Sequence, residues 1–105
     1  MTLGDWLETR TPAAPPALLD RVRAALGDAL GTDADASFDV CLGAAERLLD
    51  SILEEDSATR RQAVDLLAVD ALVTYAFEAA SSDAERLPRR ADDALARLAA
   101  LAGER

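Results

Sequence analysis

Few side chains in this chain can do chemistry, and their spacing works against most reactions. No histidine occurs, which removes the usual general base and the commonest metal ligand. The single cysteine, Cys41, falls in a stripe with Phe38, Leu42 and Ala45. A thiol there behaves as a small buried hydrophobe, and no base stands near it in the pattern to activate it. Glu54, Glu55 and Asp56 form one acidic cluster, Asp92 and Asp93 another. Adjacent helical positions point about 100° apart, and neither cluster carries the glycine-centred loop of a calcium cage. Both read as solvated helix ends, so the sequence predicts no enzyme, no cofactor and no metal.

The remaining polar and aromatic candidates suit contacts better than catalysis. Asp65 lies between Val69, Leu72 and Ala76 on a helical wheel instead of with the polar strip of Asp70, Thr74 and Glu78. Arg61, one turn earlier, is placed to pair with it, and the alternative is a polar contact across an interface. Arg86, Arg89 and Arg90 crowd the start of the last helix, against the macrodipole preference for acids there. They read as a patch answering acidic residues of another helix or subunit. Trp6 and Leu7 precede a proline-rich stretch and must pack either on their own bundle or on a neighbour, since an exposed Trp behaves as a contact hot spot.

Two short segments resemble known families. Asp50-Ser51-Ile52 resembles the Asp-Ser-Leu of acyl carrier proteins, which implies a carrier in which Ser51 bears phosphopantetheine. The match covers three residues, and it departs from that family in placing the serine inside a helix instead of at its start. Leu66 to Glu78 resembles the helix after the first aspartate-rich motif of polyprenyl synthases, but no Asp-Asp-x-x-Asp occurs. The resemblance therefore implies only a buried helix rich in Ala and Leu.

The elements that must position these residues are helices. Hydrophobic residues make up 50% of the chain but aromatics only 4%. The apolar supply is thus mostly Ala and Leu, which favour helix, and no alternating run suggests a strand. The pattern predicts an all-α bundle of four main helices at about 16–30, 37–55, 58–81 and 88–102, plus a short N-terminal helical turn. Thr2 and Asp5 can box the first turn. The Thr-Pro-Ala-Ala-Pro-Pro run of 11–16 makes an extended connector, and Pro16 opens the next helix. Gly31 is expected to end that helix, and Asp35 or Ser37 to cap the one after. Asp56 or Ser57 is expected to cap the third, and Ser82 with Glu85 to box the last. The segment 63–77 is apolar round most of its wheel, so it is expected to be the enclosed central helix.

At 105 residues the chain has room for one domain, read as an N-terminal clip (1–10), the connector (11–16) and a bundle (17–105). Its net charge is −9 and all eleven basic residues are arginine, so nucleic acid is not an expected partner. The longest apolar stretch, Ala63 to Ala80, is broken by Asp65, Asp70 and Glu78, and no membrane partner is expected. A lone cysteine and no secretory-type N-terminus point to the cytoplasm. The expected function is protein–protein association, as a homo-oligomer (a dimer) or with a protein partner. Trp6, Leu7, Asp65, Asp70, Thr74, Glu78, Arg86, Arg89 and Arg90 are the contact candidates. The alternative is a small carrier or apolar-ligand-binding protein, with acyl-carrier-like use of Ser51.

Overall fold

A computed structural model describes residues 1–10, 13–55, 60–81 and 87–103. The described residues form five helices: α1 (Leu3–Glu8), α2 (Pro16–Leu26), α3 (Ser37–Glu54), α4 (Arg60–Ala80) and α5 (Leu87–Gly103). Two 3-10 turns, Gly27–Gly31 and Ala34–Ala36, join α2 to α3. Among the described residues there is no strand, so the chain is an all-α bundle.

The N-terminal helix is short and is held by its cap. The Asp5 amide donates to Thr2 Oγ1 and the Thr2 amide donates to Asp5 Oδ2, each at 3.2 Å, which satisfies two orphan donors reciprocally. Residues 13–15 carry no helix, and α2 opens at Pro16, where a missing amide hydrogen takes nothing from the helix.

The second helix is shorter than the 16–30 expected. It stops at Leu26 because Gly27 turns to φ 55°, ψ −129°, a conformation open in practice to glycine alone. Ala29 and Leu30 therefore sit in a 3-10 turn beneath α1. A Cβ on Gly4 would lie 3.3 Å from the Leu30 carbonyl oxygen, so the glycine permits that close approach. The Leu3 amide donates to the Thr32 carbonyl (2.8 Å) and the Ala34 amide to the Met1 carbonyl (3.0 Å), sealing clip to loop.

Neither expected cap of α3 acts as one. Asp33 instead caps the second 3-10 turn by accepting from the Asp35 amide, and the Ser37 hydroxyl donates to the Ala34 carbonyl. The expected caps at Asp56, Ser57, Ser82 and Glu85 lie outside the described residues.

Helices α3 and α4 share the centre of the bundle, each touching the other, α2 and α5. Helix α3 buries Phe38, Cys41, Leu42, Ala44, Ala45 and Leu48. Cys41 and the alanines keep its face low, so neighbouring backbones come close. Helix α4 buries Asp65, Ala68, Val69, Leu72, Tyr75 and Ala76 on one side, but Leu66 and Leu67 remain 55% and 57% exposed. An apolar circumference predicts enclosure only where neighbours exist on every side, and α2, α3 and α5 leave the Leu66 and Leu67 side of α4 uncovered. Phe38 and Phe77 meet edge to face at 5.7 Å, Arg90 lies over Phe38 at 4.9 Å, and Arg97 pairs with Glu46. Those contacts run α4 antiparallel and α5 parallel to α3.

No helix of the described residues is long and apolar enough to cross a membrane.

Candidate functional site

The clip docks on its own bundle. Leu3 and Leu7 are buried, and Trp6 meets Tyr75 of α4 edge to face, with ring centroids 6.1 Å apart. The Arg10 guanidinium lies 4.5 Å over the Trp6 ring and pairs with Glu78 at 3.4 Å. A cation over an indole face and an edge-to-face aromatic pair each add to what burial supplies. Burial raises the pKa of Tyr75 above its ordinary value, helped by the nearby Glu78 carboxylate. Donation from the Thr2 amide and then the Thr2 hydroxyl holds the Asp5 carboxyl below the ordinary range.

Asp65 is buried, but its partner is not Arg61. Arg21 Nε, 44 positions away on α2, donates to Asp65 Oδ1 at 2.5 Å. Arg61 is exposed. Arg21 precedes buried Val22 and so stands at the edge of the packed stripe of α2, within reach of α4. The signal available in the sequence was the acid itself: a carboxylate among Val69, Leu72 and Ala76 needs a cation, and a long arginine on a neighbouring helix serves as well as one a turn away.

The other candidates are spread around the surface. Asp70 and Thr74 are exposed, with the Thr74 hydroxyl donating to the Asp70 carbonyl at 2.9 Å. Glu78 is engaged by Arg10. Arg89 is exposed, Arg90 covers Phe38, and Arg86 lies outside the described residues. Of these arginines the described pair, Arg89 and Arg90, differ in setting, one exposed and the other over Phe38. Trp6 and Glu78 are brought together through Arg10, beside buried Leu7.

Cys41 is fully buried, and desolvation pushes its thiol up to about 12. Asp93 pairs with Arg97 one turn on (3.7 Å), and Glu55 accepts from Gln62 at 2.8 Å. Among the described residues no group of three His, Cys, Asp or Glu side chains converges as metal ligands.

One apolar surface escaped the sequence reading. Among the described residues of α5 only Ala94 is buried, while Leu95 is 68% exposed. Arg90 and Arg97 reach α3 from one flank of α5, and Leu95 occupies the opposite flank. Ala91, Leu98, Ala99 and Ala102 share its side of the wheel, with Asp92 at the edge.

No protein-family model matches this chain, and neither a curated protein nor a solved structure shows significant similarity to it.

Proposed function

We propose that this is a non-catalytic helical protein that works by association, and that the Leu95 flank of α5 is where a second copy docks. The carrying observation is the incomplete burial of that helix. Seventeen residues long and amphipathic, α5 buries, among its described residues, only Ala94 in its own bundle and leaves Leu95 largely in water. Single exposed leucines are ordinary on a protein surface. A leucine flanked along one helix side by Ala91, Leu98, Ala99 and Ala102 is a continuous apolar strip, and such strips mark interaction surfaces.

A like partner is favoured by what the strip lacks. Two chains of net charge −9 repel at long range, so a self-association surface has to be one on which acids do not face acids. The Leu95 side offers alanine and leucine with Asp92 only at its margin. A two-fold arrangement lets the same strip serve both subunits, and alanines allow the helices to approach closely. A cytoplasmic setting accords with the lone, reduced-type cysteine, and nucleic acid is not among the partners this reading admits.

Sedimentation velocity over a micromolar concentration series tests it. The expected result is a dimer whose dissociation constant rises at least about tenfold in Leu95→Glu, with the circular dichroism spectrum unchanged. A wild-type chain that sediments as a monomer throughout would overturn the proposal.

A further inference from the structure

We infer that the cleft between α2 and α3 is a binding site for a small phosphate-type anion. It has a volume of about 270 Å³ and is lined by Arg21, Ala24 and Ala25 of α2 with Ala44, Arg47, Leu48 and Ser51 of α3. That is below the size of a drug-like pocket and suits a phosphate group or a small phosphomonoester.

Charge singles this cleft out. The chain holds twenty acids against eleven arginines, yet the lining residues include two arginines, one hydroxyl and no carboxylate. The two guanidiniums differ in how they are held. Arg21 is fixed by its Nε contact with buried Asp65, which leaves the far edge of its planar fork for another acceptor. Arg47 is exposed, and no hydrogen bond or ion pair joins it to another described residue. Its guanidinium lies back over Gly43, one turn earlier, where a Cβ would be 3.4 Å from Arg47 Nη1 and 4.0 Å from Arg97 Nη2. Ser51 follows Arg47 by one turn on the same helix face and supplies a neutral donor.

Forked cations together with a hydroxyl are the groups that recognise phosphate oxygens. The alanines let an anion come near both backbones, while Leu48 suits an apolar substituent on it. This cleft is formed by α2 and α3 and is independent of the α5 strip, so either proposal can fail alone.

Titration of the 15N-labelled protein with inorganic phosphate and with pyrophosphate, at constant ionic strength set by chloride, is the test. The expected result is saturable shifts confined to the amides of the α2 and α3 cleft residues, stronger for pyrophosphate. Arg47→Gln should weaken binding about tenfold, while Arg89→Gln, which removes an equal charge elsewhere, leaves it unchanged. Arg21→Lys, which keeps a cation for Asp65, keeps the fold and weakens binding through loss of the fork. Shifts that do not saturate, that scatter over the surface, or that fall equally in Arg47→Gln and Arg89→Gln overturn the proposal.

Discussion

At the scale of single residues, environment decides chemistry more than residue type does. Cys41 has no exposed surface, and its thiol is pushed up to about 12 from an ordinary 9.0 by burial alone. It should not react with a maleimide in the native state and should react at once in denaturant. Fast labelling of folded protein would contradict the packing described here. Its titration also has a definite sign. A group whose folded pKa lies above its unfolded one contributes stability that is present in full below the unfolded value and disappears as pH rises through the folded value. Tyr75 is raised by burial too, so both groups act together: stability should be flat toward neutrality and fall above about pH 9. Urea midpoints across alkaline pH check this, and Cys41→Ala should flatten the first part of the fall. Position 41 was legible as a buried thiol because it recurs with Phe38, Leu42 and Ala45 at helical spacing. Asp65 was legible only as an anomaly, since nothing in linear order points from it to Arg21.

At the scale of elements, the contacts of α2 show where periodicity ceases to inform. Its stripe continues past Leu26 through Ala29 and Leu30, so the pattern extends the helix, yet Gly27 breaks it at φ 55°. A glycine inside a pattern is a weak stop signal until the backbone that needs it is known. The same helix is tied to α4 by the Arg21–Asp65 pair, whose side chains are 28% and 8% exposed. Breaking such a pair from one side strands a charge, whereas replacing both partners with apolar groups does not. Arg21→Leu should therefore lower stability by about 2–3 kcal/mol, less than a wholly enclosed pair because the arginine is partly solvated. Arg21→Leu with Asp65→Leu should recover most of that loss. A double variant no more stable than the single would mean that the pair contributes favourably on its own account. Helices α3 and α5 show the complementary limit: both appear as amphipathic in the sequence, but which has neighbours enough to cover its face depends on how the elements assemble.

At the scale of the whole molecule, the ten N-terminal residues are a clasp between regions distant in sequence. The backbone of Met1 and Leu3 pairs with the loop after α2, while Trp6 and Arg10 engage Tyr75 and Glu78 near the end of α4. The sequence left two fates for Trp6, a partner's surface or its own bundle, because its hydrophobicity requires cover without naming what supplies it. Docked as observed, Trp6 belongs to the core energetics. Trp6→Ala should then destabilise the fold by about 2 kcal/mol, below the range for a fully buried tryptophan because this one is half-buried. In a domain of this size that lowers Tm by roughly 8 to 15 °C, and Trp6→Phe, which keeps the ring pair with Tyr75, should restore much of it. Oligomeric mass at a temperature where the variant is folded should not change, in contrast to Leu95→Glu, which alters mass and leaves Tm of the monomer nearly untouched. If Trp6→Ala instead preserved Tm and abolished the dimer, the clip would be a contact element in solution, and the association surface would belong at the N-terminus instead of on α5.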